Sequence, residues 1–209
     1  MINLNREKQN EISKEKILRA SLNEFGKKDY LIASTNNICK DNNISKGLLF
    51  HYYQNKDELF LLCVKSCFND LSNYIKNNII YYEGDPRKSL DLYMEKRWEF
   101  FQDNAYYKQI FINATFNPPS HLVKEISILK KDVDEANKEF LLKCINSCNL
   151  KDNVTPDKVV DIILDLINHL HTKFMNRSMI DESDTSQVLN EWVEEFSTIF
   201  EMLMFGIIK

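Results

Sequence analysis

Only four glycines and four prolines punctuate these 209 residues. A many-turned β fold needs those residues at its corners, so their scarcity points to an all-helical chain. The few breaks are well defined. Glu83-Gly84-Asp85-Pro86 is the clearest, with Pro86 placed for a first helical position. Asn117-Pro118-Pro119 is a second, and Thr155-Pro156-Asp157 opens a later helix. Hydrophobics at 44% and charged residues at 28% are ordinary for a globular protein.

Apolar periodicity then divides the chain into about nine helices. The first runs from about Glu11 to Lys27, with Ile17, Leu18, Ser21, Leu22 and Phe25 forming a stripe at helical spacing. Thr35 is expected to cap a short helix ending near Asp41. Asn42-Asn43 is suited to a turn because asparagine tolerates left-handed backbone. Ser45 caps a third helix. Asn55 caps a fourth, with Asp57 and Glu58 in its first turn, extending to about Ile80. Further helices are expected over 86–102, 105–116, 120–148, 156–176 and 185–205.

The stretch "SKGLLFHYYQNKDELF", residues 45–60, is unusual in such a chain. It is too short and crowded for an ordinary core helix and too apolar for a loop. Leu49 and Tyr53 are four apart and can share a small core with Ile38, Ile44 and Leu59. Leu48, His51 and Tyr52 fall on other faces and are left pointing outward. Gly47 disfavours its helix by about 1 kcal/mol relative to alanine, which close approach of a partner to the backbone would explain. Lys46 and Lys56 stand at capped helix starts, positions that suit phosphate.

Two short helices joined by a tight turn behind a longer one form a helix-turn-helix layout. The charge distribution agrees. Residues 1–60 hold ten lysines and arginines against eight acids, and the rest holds 17 against 23. The mildly basic end is where an anionic partner would sit.

From Ile17 to Leu59 the sequence resembles the TetR family of bacterial transcription regulators. The matching residues are Ile17, Ala20, Phe25, Ser34-Thr35, Ile38, Ile44-Ser45-Lys46-Gly47, Leu49-Phe50-His51-Tyr52-Tyr53 and Lys56-Asp57-Glu58-Leu59. Four positions depart from the family's pattern. Asp29 stands where a glycine usually precedes the aromatic, Asn43 replaces the turn glycine, and Tyr53 replaces a core phenylalanine. Phe50 stands where a phosphate-contacting tyrosine is common and lacks the hydroxyl for that role.

The resemblance implies a helix-turn-helix DNA-binding domain over 1–54 and a helical ligand-binding and dimerisation domain over 55–209. It implies that Thr35, Tyr52 and Lys56 hold phosphates. Lys46, Leu48 and His51 would lie nearest the major-groove edges, beside the capped start at Ser45 and Gly47. The implied partners are a palindromic double-stranded DNA operator, a second copy of the chain and a small-molecule inducer. Broad apolar faces on the last two helices suit dimerisation, with Val160, Ile163, Leu164, Ile167 and Leu170 on one. The other carries the stripes Val188, Trp192, Phe196, Ile199, Leu203 and Leu189, Val193, Phe200, Met204. Candidate groups for a ligand are Met94, Trp98, Phe101, Phe111, Phe116, His169 and Phe174.

Other functions lack support in the residues. There is no nucleophile elbow, glycine-rich phosphate loop or His-Glu-x-x-His, so neither catalysis nor a cofactor is expected. The four histidines, at 51, 121, 169 and 171, form no triad by spacing. Cys63 with Cys67, and Cys144 with Cys148, could each share a helix face, and small buried thiols are the expected role. The polar opening and the lack of any long apolar run argue for a cytoplasmic protein rather than a membrane one. An activator, or a DNA-binding protein without ligand input, would carry the same head as a ligand-released repressor.

Overall fold

The computed structural model describes residues 2–180 and 185–208. Those residues form ten α-helices and one 3-10 turn at Ser120–Leu122, with no strand among them. The helices are α1 (Ile2–Phe25), α2 (Thr35–Asp41), α3 (Lys46–Tyr52), α4 (Lys56–Asn78), α5 (Pro86–Asp103), α6 (Ala105–Thr115), α7 (Val123–Leu129), α8 (Lys131–Asn146), α9 (Pro156–Ile180) and α10 (Thr185–Ile207).

Most boundaries follow the chemistry read from the sequence. Ser45 Oγ accepts from the Leu48 N–H at 3.1 Å, and Asn55 Oδ1 accepts from the Glu58 N–H at 2.9 Å. Glu58 reciprocates by accepting from the Gln54 N–H at 2.8 Å. Asn43 adopts φ 51, the left-handed conformation expected of the turn. Asp85 caps α5 through the Lys88 N–H at 2.9 Å, with Pro86 in the first turn.

Three details differ from expectation. The cap of α2 is Ser34, which accepts from the Asn36 N–H at 3.2 Å, and Thr35 is the first helical residue. The single helix expected over 120–148 is broken at Lys130, giving a 3-10 turn, α7 and α8. No glycine or proline marks this break. Its signal is Asp132 and Asp134 in the first turn of α8, where carboxylates favour a helix start. Finally, α1 begins at Ile2 rather than near Glu11. Its extra turns carry no apolar stripe and so left no periodic trace.

The long helix α4 organises the molecule. It buries Leu59, Phe60, Cys63, Val64, Cys67, Phe68, Leu71 and Ile75, and packs on α1, α5, α6, α7 and α8. Ile38, Ile44, Leu49 and Leu59 form the small core expected beneath α3. That core continues without a gap through Phe25 and Phe60 into the body. Phe25 and Phe60 have ring centroids 5.3 Å apart, and Phe68 and Phe111 carry the aromatic packing on to α6.

A second seam holds the end of α1 against α6. Gly26 lies so close to Tyr106 that a Cβ there would be 2.6 Å from the Tyr106 Cβ. Gln109 Nε2 donates to Asp29 Oδ1 at 2.9 Å, and Asn113 Nδ2 donates to the Lys28 carbonyl at 3.2 Å. Asp29, the departure from the family glycine, is thus a tether. Beyond α8, the last two helices pack on each other and on the body. The inward stripe of α10 is Trp192, Phe196, Phe200 and Met204, while Ile199 and Leu203 are only half-buried. The side chain of Val188 lies outside the described residues.

Candidate nucleic-acid interface and body cavity

The outer face of α3 is open to solvent, with His51 packed only edge-on against Tyr52, ring centroids 4.9 Å apart. Ser45, Lys46, Gly47, Phe50 and His51 are exposed, and the Lys46 side chain makes no hydrogen bond or ion pair with any described residue. A Cβ on Gly47 would meet nothing within 4 Å, so the fold itself does not require glycine there. Leu48 and Tyr52 are half-buried rather than fully outward. The Tyr52 hydroxyl donates to Asn10 Oδ1 at 2.8 Å, and the Lys14 ammonium lies 5.9 Å from its ring centre. The added turns of α1 therefore brace the end of α3.

The expected phosphate ligands Thr35, Tyr52 and Lys56 stand on three different helices, α2, α3 and α4. Thr35 is half-buried at the start of α2. The Lys56 ammonium donates to the Leu31 carbonyl at 3.2 Å and stands 4.4 Å from the Tyr30 ring centre. Burial lowers its pKa, against the raising influence of Asp57 and Glu24. Lys56 is held in place more firmly than the sequence suggested. Tyr30 itself donates to Asp57, whose other oxygen meets His121 Nε2 at 3.1 Å, joining the start of α4 to the 3-10 turn. Among the described residues the Tyr53 hydroxyl has no hydrogen-bond partner, and it is not sealed from solvent.

The orientation of α2 against α1 depends on Glu24, a buried carboxylate that the sequence reading did not single out. It accepts from Lys28 Nζ at 2.8 Å, the Ser34 N–H at 2.9 Å and Asn37 Nδ2 at 3.2 Å. Burial alone would raise its pKa, but these donors together outweigh burial and leave it lowered.

The body contains a cavity of about 470 Å³ bounded by α5, α6, α8, α9 and α10 and by Lys130. Of the seven expected ligand residues, Met94, Trp98, Phe101, Phe111 and Phe116 line it. His169 does not; it is exposed on the outside of α9. Phe174 is buried in the core and is also absent from the lining. His171 takes the place expected of His169. Two residues apart on a helix, only one of them can face inward, and His171 lies four after the lining residue Ile167. Its ring stacks on Trp192 with centroids 5.0 Å apart. Burial first, then the charges of Lys130 and Arg97, push its pKa down to about 3, so it is neutral at physiological pH. The five cysteines are free thiols, and burial pushes Cys144 up to about 11, away from reactive thiolate.

The described residues thus combine a capped helix-turn-helix with an all-helical body that holds a cavity. Residues 17–63 match the family described as "Bacterial regulatory proteins, tetR family". Among curated proteins, the biofilm operon icaADBC negative transcriptional regulator IcaR of Staphylococcus epidermidis is 25% identical over 131 residues, covering 62% of this chain and 68% of that one. IcaR of Staphylococcus aureus is 23% identical over 181 residues, covering 85% and 94%. FadR of Bacillus subtilis, solved with stearoyl-CoA, shares the fold with a TM-score of 0.59 at 15% identity, covering 88% and 97%. The chain thus carries a TetR-family segment at residues 17–63 and is similar over most of its length to a transcriptional regulator. None of the helices, among the described residues, is long and apolar enough to cross a membrane.

Proposed function

We propose that the chain is a dimeric repressor that binds a palindromic operator through α3 and leaves it when a small molecule enters the body cavity. The observation that carries the DNA reading is the outer face of α3, where Lys46, Gly47 and His51 are exposed, the Lys46 side chain has no partner among the described residues, and a Cβ on Gly47 would meet nothing. In this reading residues 1–54 are the DNA-binding domain and 55–209 the ligand-binding and dimerisation domain. Lys46, Leu48 and His51 face base edges, while Thr35, Tyr52 and Lys56 hold phosphates around the Ser45–Gly47 helix start. Repression is supported by the likeness to IcaR, whose description is that of a negative regulator.

Dimerisation is supported by the face that the last helices leave uncovered. Phe205 is 89% exposed and Met202 70%, with Ile162 exposed nearby in the α9–α10 layer. Apolar side chains so open on a pair of long helices suit a second copy. Two recognition helices held roughly 34 Å apart would then meet successive major grooves.

The ligand response would run through α6. That helix supplies Phe111 to the cavity wall and Gln109 and Asn113 to the seam with α1. A ligand that binds the body better in the conformation unsuited to DNA shifts the population off the operator.

The test is selection of random-sequence duplexes by the purified chain at two salt concentrations. An enriched palindrome is expected, and a chain that enriches no sequence would count against the DNA reading. On that operator, Lys46→Ala should lower specific affinity by about 1–3 kcal/mol and relax base preference at one position of each half-site. Lys56→Ala should weaken binding to all sequences alike and reduce the salt slope by about one. Gly47→Ala should separate two properties: the fold gains up to about 1 kcal/mol from helix propensity while operator affinity falls. A variant that is more stable and binds DNA as well as before would remove the close approach of DNA to this backbone.

A further inference from the structure

The cavity's polar groups are unequally satisfied. Lys130 has a carboxylate of its own in Asp134. Arg97 has none: among the described residues its only hydrogen bond is from Nη1 to the Tyr93 hydroxyl at 2.8 Å. Tyr93 passes its own proton to Asn137 Oδ1, so the hydroxyl is already committed in both directions. The guanidinium lies 5.4 Å from the ring centre of Phe111 and 5.5 Å from that of Tyr93. It is therefore anchored by aromatic faces, with most of its five donors unspent beside an apolar cavity.

That arrangement selects a ligand charge. A guanidinium in apolar surroundings gains most from a planar anion that accepts two parallel hydrogen bonds. A cationic ligand would instead be repelled by Arg97 and Lys130, and the aromatic faces of Tyr93 and Phe111 are already taken by Arg97. The carboxylates that border the cavity, Glu95 and Glu194, are on exposed positions at its rim. The suppressed protonation of His171 has the same sense, since burial and these two cations keep a third positive charge out. The rest of the wall is apolar and aromatic, and about 470 Å³ falls within the range of roughly 300–1,000 Å³ typical of small-molecule sites.

Resting on the reading of the cavity as the inducer site, we propose that its ligand is an amphiphilic carboxylate, with Arg97 gripping the carboxylate and the aromatic wall enclosing the apolar body. The only two tryptophans of the chain, Trp98 and Trp192, both line the cavity, so intrinsic fluorescence reports its occupancy directly.

The test compares decanoate, decanol and decylammonium, equal in chain and different in charge, by tryptophan quenching and calorimetry on the intact chain. Decanoate is expected to bind about ten- to a hundredfold tighter than the other two. A parallel titration with naphthoate distinguishes a fused-ring body from a chain: whichever carboxylate binds tighter identifies the shape. Arg97→Met should bring decanoate down to the level of decanol while leaving decanol unchanged, and Arg97→Lys should restore part of the preference. Equal binding of decanoate and decanol overturns the proposal while leaving the cavity as a ligand site. Tightest binding of decylammonium overturns it in favour of a cationic ligand. If none of the four probes binds, both the proposal and the ligand-site reading fall. Should Arg97→Met not fold, the charge series on the unaltered chain decides the matter alone.

Discussion

Replacing Glu24 by alanine should lower the stability of the fold by about 2–3 kcal/mol, a fall in Tm of roughly 4–12 °C for a chain of this size. The carboxylate is buried and accepts from Lys28, Ser34 and Asn37, so its removal strands the Ser34 N–H and the Asn37 amide together. Thermal denaturation of the variant at neutral pH measures the effect, and an unchanged Tm would show that the cluster is dispensable. The pH dependence has a definite sign. A carboxyl whose folded pKa lies below the ordinary value of 4.5 contributes stability that is fully present above that value. The contribution is lost as pH falls through the folded pKa, so the gap between wild type and variant should close in acid. Glu24→Gln retains an acceptor oxygen and should fall between the two.

Gly26→Ala should be nearly as damaging for a different reason. The new Cβ would stand 2.6 Å from the Leu22 carbonyl oxygen, 2.6 Å from the Tyr106 Cβ and 2.7 Å from the Tyr106 Cα. None of these atoms can rotate away, so α1 and α6 must separate. Overpacking of this kind costs about 1–3 kcal/mol. The glycine is not needed for its backbone angle, since the one glycine at positive φ is Gly84; it is needed for the approach. The separation would also stretch the Asp29–Gln109 and Lys28–Asn113 contacts. Operator titration beside thermal denaturation should therefore show an altered affinity together with the lost stability. A Gly26→Ala chain with wild-type stability would mean that the two helices are not in contact at this point.

These two residues also mark where the sequence stops being legible. The head could be read because its information is local: Ser45 and Asn55 cap the helices they precede, Asn43 takes the left-handed turn, and Leu49 shares a face with Tyr53. Glu24 gave no such sign. On a helix rich in charge it is indistinguishable from Glu11 or Glu15, and only the return of the chain at Ser34 and Asn37 makes it a buried acceptor. Asp29 looked like a defect in a family pattern, and its partner Gln109 is 80 residues away. The cavity was legible in its aromatics from α5 and α6 but not in its histidine. His169 and His171 could not be told apart without the phase of α9, although the interval from Ile167 to His171 carried that phase. The break at Lys130 was written only in the pair of aspartates that follows it.

The seam between α1 and α6 is built from close packing, amide hydrogen bonds and the Lys27 side chain over Tyr106, with no ion pair across it among the described residues. Dissolved salt screens charges on the surface of the head, where phosphate would be met, but has little purchase on such a seam. Operator affinity and its modulation by ligand should therefore respond to different variables. On the proposed function, raising the ionic strength should weaken the grip on DNA, while the ratio of affinities with and without ligand should stay almost constant. A cell whose internal salt fluctuates would retain the same relative switch.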